Sequence, residues 1–255
     1  MIVLAISSGS SNELPNFISL LLKFYADSPF LKFLHHWEVI FFSIVVATFL
    51  SIVFFLGTKK RELIPEGLQN FLEWFFEVFQ DIVIGVLGKE GKKFVPFLGT
   101  LFIYILTMNL IGMIPLMKPP SASINTTTAL SICVFVVVQY LNLKNFGIKG
   151  FIYHLLGSPK DAIGWMLAPL MFPIELLTQL SRPVTLALRL FGNILGEKIL
   201  IGFFTFVSAS FLYFFPVQLP FVFLGLLTSV MQAAVFTLLS TIYILLAMPH
   251  PEEKH

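Results

Sequence analysis

Apolar residues run through this chain in long blocks rather than in alternation. Val39 to Gly57 is 19 residues without a charge, Phe94 to Met117 is 24, and Pro119 to Leu143 is 25. A helix needs about 20 apolar residues to cross a bilayer, so each block predicts a membrane-spanning helix. Lys118 and the Pro119-Pro120 pair separate the second block from the third and predict a turn there. Pro216 to Met248 is 33 uncharged residues. Upright, that helix would reach about 50 Å against a hydrocarbon core of about 30 Å, so the block predicts strong tilt or a break. The stretch from Ala162 to Leu212 is also too long, and it carries Glu175, Arg182, Arg189, Glu197 and Lys198. It reads either as one tilted helix or as two short spans joined near Arg182-Pro183.

Between the first two blocks the period changes. Leu68, Phe71, Leu72, Phe75, Phe79, Ile82 and Val83 recur at helical spacing, with Glu66, Glu73, Glu77 and Asp81 on the other face and Pro65 suited to the first turn. This predicts an amphipathic helix, lying in the membrane interface or packed on a partner. Composition narrows the class: 57% of the 255 residues are hydrophobic and 12% charged, against about 25% charged in soluble domains. A soluble globule, a disordered chain and a nucleic-acid binder are thereby excluded, and unbroken apolar runs do not fit an outer-membrane barrel. The fold class expected is an all-α polytopic membrane protein of about five transmembrane helices, the last two long and strongly tilted. With no repeats and no low-complexity tract, residues 1–255 read as a single membrane domain. The lone Cys133 rules out an internal disulfide or a cysteine-built metal site. Ile2 to Ile6 is too short for a signal-peptide core.

Loop charge gives the orientation. The 58–93 connection holds Lys59, Lys60, Arg61, Lys89, Lys92 and Lys93, and the 144–161 connection holds Lys144, Lys149 and Lys160. With five spans both basic connections share one side with Lys254. The positive-inside rule then puts the 1–36 segment outside and the carboxyl terminus in the cytoplasm. Six spans would move the carboxyl terminus outside.

The charges inside the 162–212 block need a reason, because an arginine at the centre of a membrane helix costs about 2.5–3.5 kcal/mol even on the mildest scale. Glu175, Arg182 and Arg189 are seven apart and share one helical face, and Asn193 and Glu197 continue from Arg189 at four-residue steps. Thr178, Gln179 and Thr185 add polarity on the same side. One reading is structural: Glu175 pairs with Arg182, and Asn193 and Glu197 tie up Arg189. For the set as a whole that is weak, since buried ion pairs seldom repay their desolvation. The other reading is a pathway for ions or protons. Arg182 alone, beside Pro183, suits a structural role, and Lys198 suits snorkelling to the interface. The last block has an uncharged stripe of Thr228, Ser229, Gln232 and Ser240. Its hydroxyls can bond back to their own helix, whereas a buried Gln232 amide wants several partners.

The run from Ser181 to Glu197, Ser-Arg-Pro-Val-Thr-Leu-Ala-Leu-Arg-Leu-Phe-Gly-Asn-Ile-Leu-Gly-Glu, closely resembles the a subunits of F-type ATP synthases. Asn109 to Pro115, Pro120 to Thr126, Pro173-Ile-Glu175 and Met231 to Phe236 fit in order, so the resemblance spans roughly 36–248. It implies a non-catalytic stator channel beside a rotating ring of c subunits, each carrying one membrane carboxyl group. Two half-channels would bring protons to the ring and lead them away, formed by the 162–248 helix pair. It also implies five spans rather than six, b-type peripheral stalk subunits, an ATPase head reached through the complex, and a bacterial inner membrane or its organellar counterpart. The essential arginine of the family falls on Arg189. Asn193 and Gln232 match positions beside it, and Glu197 matches an outer half-channel carboxylate, here eight residues after the arginine where nine is common. Gly225 stands where the family places a partner group, Ser123 where many relatives are acidic, and Asn125 is kept. Glu175 matches a glutamate toward the cytoplasmic side.

Three other features bear on class. No Gly-x-x-x-x-Gly-Lys-Ser/Thr run provides a nucleotide site. His35, His36, His154, His250 and His255 lie outside the polar stripe, so neither a metal site nor a general base is expected and no cofactor is implied. The rival function is a secondary transporter holding an anionic substrate on Arg189. An odd number of spans without an inverted repeat speaks against it.

Overall fold

The computed structural model describes residue 33 and residues 37–59, 67–114, 117–156, 162–211 and 219–248. The segment 1–36, apart from residue 33, lies outside them, as do Pro65, Glu66 and Lys160. Every regular element among the described residues is helical. Six α-helices follow in order: α1 Glu38–Thr58, α2 Leu68–Leu87, α3 Val95–Ile111, α4 Ile124–Leu155, α5 Ala162–Phe211 and α6 Leu219–Leu246. Short 3-10 turns, Lys89–Phe94 and Pro120–Ala122, lead into α3 and α4.

Helix α6 is the hub, packing against α2, α3, α4 and α5. Leu98, Ile105 and Met108 of α3 are fully buried in one apolar cluster with Val46 of α1, Val83 of α2 and Phe236 of α6, and α6 carries that cluster on to Val134 of α4 and Leu190 of α5. Close approach of α3 to α2 depends on a glycine. A side chain at Gly99 would meet the Phe76 ring at 3.3 Å and the Phe79 ring at 3.7 Å. Through that gap Phe79 and Phe75 reach Phe102, with ring centroids 5.7 and 5.8 Å apart.

The predicted amphipathic helix is therefore α2, and its apolar side divides in two. Leu72, Phe79, Val83 and Leu87 are buried against the bundle, while Leu68, Phe71, Trp74, Val78 and Ile82 form an exposed stripe beside the acidic face of Glu73, Glu77 and Asp81. Such a stripe suits contact with lipid near the headgroups.

Among the described residues four segments are long and apolar enough to cross a membrane: Glu38–Thr58, Lys89–Ile111, Ile124–Phe151 and Leu219–Leu246. The fifth expected span falls on α5, whose 50 residues are more than long enough to cross. This helix runs unbroken for 50 residues through Arg182-Pro183, with Pro169, Pro173 and Pro183 inside it. At 1.5 Å per residue it reaches about 75 Å, and the 28 residues of α6 reach about 42 Å. Both exceed the bilayer core.

Helix α3 ends six residues before the apolar block does. The chain turns at Gly112, where a side chain would strike Pro119 at 2.6 Å, so the turn folds directly onto the helix end. Lys118 then reaches back 80 positions to Glu38, 2.5 Å away, with side-chain exposures of 17% and 7%. Helix α4 overruns its predicted end and continues past Gly147, whose φ of 67° marks a break before the short piece up to Leu155. The 144–161 connection is thus partly helical.

Candidate functional site

Helices α5 and α6 run antiparallel along their length. Arg182 lies over the Tyr243 ring, Asn193 meets Gln232, the Glu197 side chain meets Gly225, and Phe204 stacks on Phe221 at 3.7 Å. In each pair the α5 number rises as the α6 number falls. This register distributes the polar residues into two groups, one on either side of Arg189.

The first group faces α3 and α6. Nδ2 of Asn193 donates to Oε1 of Gln232 at 2.5 Å, and Nδ2 of Asn109 donates to the Ser229 carbonyl at 3.4 Å. Gln232 and Asn109 are only 3% and 2% exposed. Four of their neighbouring polar atoms are buried with no protein partner: Nε2 of Gln232, Oγ of Ser229, Oδ1 of Asn109 and Oε2 of Glu197. A buried polar atom left unpaired costs about 1–3 kcal/mol, so a run of four on facing helices calls for partners that the chain itself does not supply. Gly225, Ser229 and Gln232 are four and three apart and share one face of α6.

The second group joins α4, α5 and α6. Nε2 of Gln139 donates to Oε1 of Gln179 at 3.1 Å, and Nε2 of Gln179 donates to Oε1 of Glu175 at 3.4 Å. Nδ2 of Asn142 donates to Oε1 of Gln139 at 3.4 Å. Beside them a cavity of about 20 Å³ is lined by Gln139, Asn142, Gln179, Arg182 and Tyr243. That is room for one water. The Arg182 guanidinium stands 5.4 Å from the Tyr243 ring centroid, within reach of a cation–π contact.

Arg189 lies between the groups and belongs to neither. It is exposed, and among the described residues no hydrogen bond or ion pair involves it. Neither structural pairing considered for the stripe forms. Glu175 bonds Gln179 rather than Arg182, and Asn193 and Glu197 turn to α6 rather than to Arg189. The eight-residue spacing explains the last point, because it sets Glu197 about 80° around the helix from Arg189, on the α6 side. Most hydroxyls bond back to their own helices: Thr178 to the Ile174 carbonyl, Thr185 to that of Ser181, Thr228 to that of Leu224 and Ser240 to that of Phe236. Ser229 is the exception.

Ser123 is half-buried and Asn125 exposed at the start of α4, next to the Pro120–Ala122 turn that packs on α5. Among the described residues no hydrogen bond joins either to the Asn193–Gln232 pair. Sequence reasoning named Asn109 only as the start of a matching run and passed over Gln139 and Asn142. Its one available signal was an amide inside an apolar run, which is as costly there as a hydroxyl and less able to satisfy itself on its own helix. Among the described residues no group of His, Cys, Asp and Glu is placed to hold a metal ion.

The sequence profile of the ATP synthase A chain family matches residues 39–245. ATP synthase subunit a of Protochlamydia amoebophila (strain UWE25) is 58% identical over 249 residues, 95% of this chain and 92% of that protein. ATP synthase subunit a of Moorella thermoacetica is 37% identical over 215 residues, 82% of this chain and 92% of that protein. The same subunit of Geobacter sulfurreducens is 39% identical over 207 residues, 81% of this chain and 86% of that protein.

Proposed function

The chain belongs to the ATP synthase A chain family, a membrane-sector subunit of the F-type ATP synthase, and from that premise we propose that it is the complex's proton-translocating stator. In this reading the Asn109, Asn193, Glu197, Ser229 and Gln232 group forms an outer half-channel. The Gln139, Asn142, Glu175 and Gln179 group forms a cytoplasmic one. Ser123 and Asn125, at the outer end of α4, line the mouth of the outer path. The observation that carries the reading is Arg189, an exposed arginine without a partner among the described residues, set between two polar groups, one built around buried Asn109, Ser229 and Gln232 and the other around buried Gln179. Gln179 and Asn193, the nearest members of the two groups on α5, are 14 residues apart, or about 21 Å of rise. No proton hops that distance through apolar packing, so a moving carrier is required.

A ring of c subunits supplies that carrier, one carboxyl group at a time. Opposite Arg189, at about 4 Å and an effective dielectric of about 20, a carboxylate gains about 4 kcal/mol of attraction. That favours the ionised form and helps release the proton on one side. The same guanidinium repels a proton crossing directly between the half-channels. One charge moved through the membrane potential is worth about 2.3 kcal/mol per 100 mV, which a leak would dissipate. Guanidinium keeps its charge in such a place, where an ammonium readily loses it.

The reading includes five spans, with α5 crossing despite its stripe and with α5 and α6 tilted to fit their length. It places the amino terminus outside, the basic connections in the cytoplasm, and α2 at the cytoplasmic interface. A bacterial inner membrane, a c ring and b-type stalk subunits as neighbours, and an ATPase head doing the chemistry complete it. The chain itself supplies no catalytic group. The test is ATP-driven acidification of inverted vesicles carrying the assembled complex, with wild type set against Arg189→Ala. An assembled variant that hydrolyses ATP but acidifies nothing is expected; one that pumps normally refutes the role given to Arg189.

A further inference from the structure

Gly225 is buried on α6, and the space its missing side chain leaves is filled by a carboxyl group from another helix. A Cβ placed on Gly225 would overlap Oε1 of Glu197 and lie 2.8 Å from its Cδ and 3.2 Å from its Cγ. At the other tight glycines the first atom met is hydrocarbon: Leu72 at Gly57, Leu87 at Gly91, Phe76 at Gly99, Pro119 at Gly112 and Phe146 at Gly150. At Gly225 alone among them, all three nearest atoms belong to one ionisable side chain.

We propose that Gly225 is a positioning residue, its bare backbone forming the seat that holds the Glu197 carboxyl group against the α6 face shared with Ser229 and Gln232. The seat answers a geometric need. Glu197 follows Arg189 by eight residues and points toward α6, so its carboxyl group meets the water path only if α6 leaves room for it. Oε2 of Glu197 is buried with no protein partner, as is Oγ of Ser229 one turn along α6 from the seat. The carboxyl group thus stands among buried polar groups of α6, with the Lys198 cation as its charged neighbour on α5. The colliding atoms are also the far end of a flexible side chain. A methyl at position 225 would swing the carboxyl group away before it forced the helices apart, so position is perturbed more than stability.

This inference rests on the outer half-channel reading. Its test is a double-mutant cycle in assembled complexes, read as the initial rate of ATP-driven acidification and normalised to subunit content. Gly225→Ala is expected to slow pumping about fivefold or more, and to add less than about twofold in a Glu197→Ala background, because effects acting through one group do not add. Glu197→Asp withdraws the carboxyl group by one methylene, and Glu197→Asp/Gly225→Ala is expected to pump faster than Gly225→Ala alone. A glycine needed only for helix packing would show no such rescue. Equal losses from Gly225→Ala in the Glu and Ala backgrounds, or a Gly225→Ala complex that pumps as wild type, overturn the seat. If Glu197→Ala itself pumps as wild type, the outer half-channel reading falls and the seat with it; if Glu197→Ala stops pumping and Gly225→Ala does not, the seat alone falls. Should Gly225→Ala fail to assemble, assembly of the Asp double variant supports the seat, and its failure overturns it.

Discussion

Replacing Gln232 by leucine separates what this site does for stability from what it does for transport. Gln232 is 3% exposed and makes one hydrogen bond, accepted on Oε1 from Asn193, while its Nε2 is buried with no protein partner. Side-chain hydrogen bonds inside membrane proteins average about 0.6 kcal/mol, and that is the expected loss. Against the loss stands removal of a buried amide N–H with no protein partner, worth about 1–3 kcal/mol where water does not reach it and near zero where it does. The balance runs from roughly neutral to about 2 kcal/mol of added stability. Transport should move the other way, because leucine replaces both polar atoms that Gln232 offers to the path. The assay pairs thermal inactivation of the detergent-solubilised complex with ATP-driven acidification of vesicles. The expected result is a complex at least as heat-resistant as wild type that pumps several-fold more slowly, with its ATPase activity no longer coupled. A Gln232→Leu complex that pumps at the wild-type rate would refute the reasoning, since the polar group around Gln232 would then be a packing feature. A loss of more than about 2 kcal/mol would refute the other half, by showing that Nε2 does have a partner.

Lys118→Ala leaves the buried Glu38 carboxylate unpaired and should cost about 3–5 kcal/mol, seen as reduced assembly; Lys118→Met with Glu38→Leu, which removes both charges, should restore most of it. Phe79→Ala empties the contact between α2 and α3 and should cost about 3–5 kcal/mol, measured as lower thermal stability of the complex, whereas Phe71→Ala on the exposed stripe should cost little there and instead weaken contact with lipid.

The helical elements were readable because membrane burial leaves an obvious mark. An apolar block of about 20 residues has one stable use, and α1, α3, α4 and α6 all lie within or across their predicted blocks. Boundaries were less legible. A count of apolar residues runs on to Met117, whereas the stop at Ile111 is signalled by Gly112 and Pro115 and is met in the structure by Pro119 folding onto Gly112. The choice between one helix and two across Arg182-Pro183 was equally closed to composition, since a proline inside a long helix is compatible with either.

The stripe on α5 was legible as a pattern, and Arg189, Asn193, Glu197 and Glu175 could all be named from spacing and resemblance. Spacing on one helix cannot say which neighbours those residues meet. The sequence by itself determined a polytopic helical protein with an ionisable stripe that a bilayer does not tolerate without purpose. Only the tertiary structure decided that the stripe is split. Asn109, 84 positions before Asn193, and Gln139, 40 before Gln179, lie on separate helices that packing brings to opposite sides of Arg189. The physical reason is that hydropathy is a property of each segment alone. A hydrogen-bond partner, or the gap that a glycine leaves for a carboxyl group, exists only once two helices have been set in register.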